Sequence, residues 1–227
     1  MDFVKFWLRL RPAIVSLVIV CGGFGSGAAR PQAETDAGQA GPAEVIEHYA
    51  DEVQDMTARF EQRLYDADGE LVESETSSGS LSLLRPDRFR LHYETPYEEI
   101  VVSDGEWIWQ YDVELEQVTC APLSDLATSP AMLLSGAGSV SENFVVSDVA
   151  SDDDRRWIEL VPVDDDGEFQ SAKIAFREGI PDELELVDGV SQLTRVELAD
   201  VKVNTGLRRR EFDFDRPRGV DVIGECN

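Results

Sequence analysis

The stretch from Arg85 to Thr119, RPDRFRLHYETPYEEIVVSDGEWIWQYDVELEQVT, decides the fold class of this chain. It predicts consecutive antiparallel strands with very large side chains crowded along one face. Phe89, Leu91 and Tyr93 recur every second residue, and so do Trp107, Trp109 and Tyr111. Alternate side chains of a strand point to opposite faces, so each trio lines a single face. The other face of the first strand carries Arg88, Arg90 and His92, which suits water. Between the runs, Ser103-Asp104-Gly105 supplies an Asp-Gly pair able to adopt the positive φ angles of a tight hairpin. A greasy face of this kind is either a sandwich core or the lining of an apolar cavity.

Working outward from this block toward the N-terminus, residues 42–55 read as a helix. Pro42 suits its first turn, and Val45, Tyr49, Val53 and Met56 fall on one stripe. The period then changes: Ala58, Phe60, Gln62 and Leu64 alternate with Arg59, Glu61 and Arg63 in a strand ending at the turn 66–69. A long strand is expected over 71–84, with Leu81 and Leu83 on one face, before Pro86 breaks the ladder. On the other side of the block, Ser129-Pro130 marks the start of a short helix through Leu134, with Ser as cap and Pro at the first helical position. Its apolar residues Met132, Leu133 and Leu134 run consecutively, which suits a helix pressed against an apolar opening. Further strands are expected at 144–149, 156–163, 169–177, 183–187, 193–203 and 208–214. Ten or eleven antiparallel strands with two or three helical interruptions make a mainly β fold whose sheet is large enough to curl on itself.

With 227 residues the chain suits one domain with a sizeable core. Its first 29 residues stand apart. Lys5, Arg9 and Arg11 precede the apolar run Ala13–Val20, and small residues close the segment at 26–29. That order is a secretory signal, and the apolar run is too short to span a bilayer comfortably. Cleavage is expected near Ala28 or Ala29, with Ala33 as the alternative, leaving a loose segment over 30–41 and a folded domain over 42–227. Cys21 follows Val20, a poor match to a lipid-accepting cysteine, which needs a small residue before it. Export then leaves Cys120 and Cys226, an even count that permits a disulfide in an oxidising compartment. The formal net charge of −26 excludes nucleic acid and charge-driven adhesion to anionic lipid. Such acidity in an exported protein points to a salty environment, where self-repulsion is screened.

Chemistry is scarce. His48 lies on the first helix and His92 on the polar face of a strand, neither with a nucleophile or carboxylate at a catalytic spacing. No phosphate-binding glycine loop appears. The turn 164–167, DDDG, lacks the alternating ligands and distal glutamate of a calcium loop. Metal sites, cofactors and enzymatic activity are therefore not expected.

With these residues in view, the chain resembles the periplasmic outer-membrane lipoprotein carrier (LolA) family over roughly 45–223. The resemblance rests on FEQ at 60–62, GSLSLLRP at 79–86 leading into FR at 89–90, and VSDG at 102–105 with WQYD at 109–112. LEQV at 115–118, SPAMLL at 129–134 and FDFDRPRGVDV at 212–222 complete it. It implies an incomplete antiparallel β-barrel closed by a lid of short helices, with an apolar space for the acyl chains of a lipoprotein. Arg85 then matches the arginine that ties lid to barrel through hydrogen bonds to lid backbone. Phe60, Leu81, Leu83, Phe89, Leu91, Tyr93, Trp107, Trp109, Met132, Leu133 and Leu134 become expected cavity residues, the alternative for each being plain core. The implied partners are acylated outer-membrane lipoproteins, an ABC-type inner-membrane release complex and an outer-membrane receptor, met by a periplasmic monomer. Two rival readings share the fold: the lipid-anchored receptor itself, and a lipid-sensing regulatory domain.

Overall fold

The computed structural model describes residues 40–123, 134–135, 143–163, 169–224 and 226. The expected export signal, nearly all of the 30–41 segment, Met132, Leu133 and the turn 164–167 lie outside the described residues.

Helix α1 (Pro42–Glu52) opens with Pro42 at its first position, and the Glu44 carboxylate accepts the Gly41 N–H at 2.9 Å. It is shorter than the expected 42–55 because Val53 already has extended backbone (φ −102°, ψ 102°) and the first strand begins at Asp55. Ile46, Tyr49 and Val53 form its buried stripe. Six strands follow: β1 (Asp55–Tyr65), β2 (Ser77–Leu84), β3 (Arg88–Thr95), β4 (Glu99–Asp104), β5 (Trp107–Asp112) and β6 (Gln117–Pro122). After them come β7 (Phe144–Val149), β8 (Arg156–Pro162), β9 (Phe169–Arg177), β10 (Ile180–Asp188), β11 (Leu193–Val203) and β12 (Asp221–Ile223). Among the described residues these make one sheet, ordered β12-β6-β5-β4-β3-β2-β1-β11-β10-β9-β8-β7. Every pairing is antiparallel except β12 with β6, and β12 and β7 remain as two edges. The fold is thus mainly β, as strand count indicates, with an unclosed sheet, as the resemblance implies. Two expected strands change. Residues 73–75 form a 3-10 turn, so the strand expected from Leu71 starts at Ser77, and Arg209–Phe212 is a 3-10 helix rather than part of a strand.

Registers across β1–β6 define the inner face as three rows. The first runs Met56, Leu83, Phe89, Ser103, Ile108, Ala121; the second Ala58, Leu81, Leu91, Val101, Gln110, Thr119. The third runs Phe60, Gly79, Tyr93, Glu99, Asp112, Gln117. On the far side of β1 the same face continues through Val196, Leu184, Ile174 and Ile158. Gly79 is needed where it stands: a β-carbon there would collide with the His92 carbonyl and crowd the Phe60 ring. Its emptiness lets Phe60 and Tyr93 meet edge to face at 5.0 Å.

The register corrects one sequence expectation. Trp107 and Trp109 share the outer face with Arg88, Arg90 and His92, because Ser103 pairs with Ile108 and Val102 with Trp109. The two aromatic trios therefore lie on opposite faces, and neither tryptophan belongs to the inner wall. Their cover comes from the C-terminal segment. Phe214 stacks on Trp109 at 5.3 Å, Phe212 is buried, and Arg90 donates through Nε and Nη2 to the carbonyls of Glu211 and Asp213, each at 3.2 Å. Val102, Val118 and Cys120 are buried beneath it. Cys120 is disulfide-bonded to Cys226, their Cα atoms 6.3 Å apart, just beyond β12.

Candidate functional site

Arg85 stands one residue beyond β2, immediately before Pro86. Its own N–H donates to the Gln54 carbonyl at 2.9 Å, which fixes the backbone beneath the C-terminal end of α1. From there the guanidinium spans two segments. Nε donates to the Val53 carbonyl at 2.7 Å, and Nη2 donates to the Leu134 carbonyl at 2.8 Å. A helix end leaves carbonyls without intrahelical partners, and its partial negative charge favours a cation. One rigid fork therefore satisfies the end of α1 and the short helical piece Leu134–Ser135 together. Burial pushes the Arg85 pKa down, and Tyr49 and Asp51 oppose the shift. Its Nη1 is buried and has no hydrogen-bond partner among the described residues.

Tyr49 completes the junction. Its ring lies 4.6 Å from Cζ of Arg85, and its hydroxyl donates to the same Leu134 carbonyl at 3.3 Å, with the Met56 sulfur at 3.8 Å. The ring also meets Phe176 of β9 edge-on at 6.0 Å. Burial, partly offset by Arg85, pushes the Tyr49 phenol up to about 12, so it remains a donor at any physiological pH. Helical periodicity places Tyr49 only on a buried stripe; nothing in the sequence distinguishes it from an ordinary core tyrosine.

The platform under this junction is stiff. Asn204, just past β11, donates from Nδ2 to the Glu52 carbonyl at 2.9 Å and accepts the Gln54 N–H at 2.8 Å. Asp55 is buried and accepts the N–H groups of Thr205 and Gly206 and the Thr205 hydroxyl, at 2.7 to 2.9 Å. Burial raises its pKa, but those hydrogen bonds win and hold it below the ordinary carboxylate value. On the other flank, the buried Ser103 hydroxyl donates to the Asp87 carbonyl at 2.6 Å, anchoring the turn that follows Arg85.

The remaining expected residues divide cleanly. Phe60, Leu81, Leu83, Phe89, Leu91 and Tyr93 all lie on the inner face, and Leu134 is 2 % exposed beside the junction. Trp107 and Trp109 lie on the opposite face, as above. Sequence reasoning missed the second wall: Leu184, Leu186, Val196 and Leu198, which alternation in β10 and β11 could have revealed. Next to α1 the packing is solid, with Met56, Leu83 and Ile108 at 0 % exposure; farther along, Leu91, Tyr93, Leu186, Val196 and Leu198 each keep 8–9 %. The inner face is thus packed most tightly beside α1 and slightly less so farther along. Among the described residues, no helix is long and apolar enough to cross a membrane, and no cluster of side chains suits a metal.

Residues 51–215 match the family model described as outer membrane lipoprotein carrier protein LolA. An outer-membrane lipoprotein carrier protein of Azotobacter vinelandii is 38 % identical over 177 residues, covering 77 % of this chain and 84 % of the relative. That of Methylococcus capsulatus is 35 % identical over 211 residues, covering 92 % and 96 %. That of Halorhodospira halophila is 37 % identical over 185 residues, covering 81 % and 86 %. Among solved structures, an uncharacterized conserved protein from Thermus thermophilus shares the fold, with a TM-score of 0.52 at 12 % identity, covering 80 % of this chain and 98 % of that one.

Proposed function

The chain belongs to the outer membrane lipoprotein carrier family, and from that premise we propose that it carries lipoproteins by holding their acyl chains against its apolar inner face. Carriers of this family are not enzymes, and what this site offers a ligand is shape and apolar surface. Exposure of acyl chains to water costs about 0.8 kcal/mol per methylene, so two or three chains amount to tens of kcal/mol. A soluble carrier has to replace the membrane interior nearly completely and still let go. The observation that carries the reading is the Arg85 junction, where one guanidinium joins the end of α1 to Leu134 beside the apolar face. Hydrogen bonds of this kind contribute roughly 1–3 kcal/mol each, so a lid held by two or three of them opens and closes without unfolding the sheet.

On this reading Arg85 is the latch of a lid that carries Leu134, and Phe60, Leu81, Leu83, Phe89, Leu91 and Tyr93 form the wall that meets acyl chains. Residues 1–29 direct export and are removed, and residues 42–227 act as a monomeric periplasmic carrier. Cargo is received from an ABC-type release complex of the inner membrane, which supplies the energy, and is handed to a receptor in the outer membrane. Arg85→Leu is expected to weaken lid closure and impair lipoprotein transfer in a reconstituted assay with release complex and receptor. Unchanged transfer by that variant would remove Arg85 from this role.

A further inference from the structure

We propose that the C-terminal segment covering the outer face is a docking surface for an acidic polypeptide. Arg208, Arg209, Arg210, Arg216 and Arg218 are the groups that receive its carboxylates. The inference is independent of acyl-chain binding, because it uses the face of the sheet opposite the apolar wall.

The chain carries 20 lysines and arginines against 46 aspartates and glutamates. Five of those cations fall within 208–218, RRREFDFDRPR, where they outnumber the three carboxylates Glu211, Asp213 and Asp215. The local charge is therefore positive in a strongly negative molecule. All five arginines are exposed, and among the described residues none of their side chains makes an ion pair or a hydrogen bond. By contrast, Arg59, Arg63, Arg155, Arg177 and Arg195 each hold a carboxylate. The segment also has a fixed base. Phe212 is 1 % exposed and Val220 8 %, Phe214 stacks on Trp109, and Arg90 binds the carbonyls of Glu211 and Asp213. Its apolar side chains hold the backbone to the sheet, and its charged ones are left in solvent.

Arginine clusters recognise acidic motifs because each planar guanidinium offers paired donors to a carboxylate. The interleaved Glu211, Asp213 and Asp215, all exposed, select the kind of partner. An anionic lipid surface presents its phosphates as a continuous plane. It would set them against these three carboxylates and against the net charge of −26. A polypeptide places its carboxylates at separate points and meets the arginines alone.

The test is fluorescence anisotropy with a labelled peptide of alternating Glu and Ser, and with the same peptide carrying Gln for Glu. It is run in about 0.15 M salt, where the Debye length is about 8 Å and remote charges are screened. The native protein is expected to bind the Glu peptide about tenfold more tightly than the Gln peptide, a gain that a few exposed ion pairs supply together. Arg208→Gln/Arg209→Gln/Arg210→Gln is expected to remove most of that preference, and Arg216→Gln/Arg218→Gln to reduce it. Arg59→Gln/Arg177→Gln, which removes two ion-paired arginines, is expected to keep it. Since the five side chains lack partners, the first two variants are expected to melt at the native temperature. A lowered melting temperature would show that these arginines serve the fold, and would overturn their docking role. So would the absence of a preference in the native protein, its survival in the triple variant, or an equal loss in Arg59→Gln/Arg177→Gln. Tighter binding to vesicles containing phosphatidylglycerol than to the Glu peptide would assign the arginines to a lipid surface. Self-association of the native protein that the triple variant loses would assign them to a second copy. Either result overturns the proposal.

Discussion

At the scale of single residues, Arg85 and Tyr49 converge on one acceptor: the Leu134 carbonyl accepts from both. Tyr49→Phe removes the hydroxyl bond but keeps the ring under the guanidinium. It is expected to weaken the junction by about 0.5–1.5 kcal/mol, seen as several-fold faster amide exchange at Leu134 and Ser135. Arg85→Leu, which breaks bonds to both Val53 and Leu134, is expected to accelerate it further. Equal exchange in all three proteins would show that the junction does not hold this segment. Asp55 makes a claim about pH. Its folded pKa lies below the ordinary 3.8, so its contribution is complete above that value and is lost as pH falls through the lower folded value. The stability gap between the native protein and Asp55→Asn is thus expected to be constant near neutrality and to shrink on acidification below 3.8. A gap independent of pH would refute the assignment. Arg85 was singled out only because the resemblance implies an arginine at that position; taken alone it reads as an ordinary arginine at a strand end before proline. Tyr49 was not singled out, since a helical stripe does not record which member reaches a distant carbonyl.

At the scale of elements, the phase of each strand was readable and the phase between strands was not. Period-two patterning grouped Phe89, Leu91 and Tyr93 correctly, and grouped Trp107, Trp109 and Tyr111 correctly as well. Which face each trio takes depends on the register across β3, β4 and β5, and a one-residue slip reverses it. The rule that large aromatics point inward failed for Trp107 and Trp109 because a separate segment supplies their cover. Within the segment Arg209–Ile223, residues 208–214 looked like one more strand in sequence; the segment is instead a clasp over the outer face. It is held by Arg90, by Phe214 on Trp109 and by the Cys120–Cys226 disulfide, which closes a sequence separation of 106 residues. In the chain-entropy model a loop of about 100 residues is worth up to about 4–5 kcal/mol. Cys226→Ser is therefore expected to lower the denaturation midpoint and to alter Trp109 emission as Phe214 lifts away. A variant with native stability and emission would show that the clasp holds without its covalent end.

At the scale of the whole molecule, a mainly β fold with one large sheet followed from turn spacing and strand count, while the unclosed form of that sheet came only with the family resemblance. The second wall did not follow, because β8–β11 spread their apolar residues thinly among charges. Those charges are organised on the outer face, where Arg63, Arg155 and Arg195 pair with Glu197, Glu183 and Glu185, yet the chain retains a net charge of −26. Self-repulsion of that size is screened only by salt. The melting temperature is expected to rise steadily with added sodium chloride, with reversible loss of structure on dialysis into low salt. Full stability in salt-free buffer would contradict this. The central claim, that the apolar inner face holds acyl chains, is tested most directly by native mass spectrometry of the protein isolated from the periplasm of its own cells. The expected spectrum contains a one-to-one complex with an acylated lipoprotein; a spectrum of the free protein alone, with no acylated species even after mixing with detergent-solubilised lipoprotein, would contradict it.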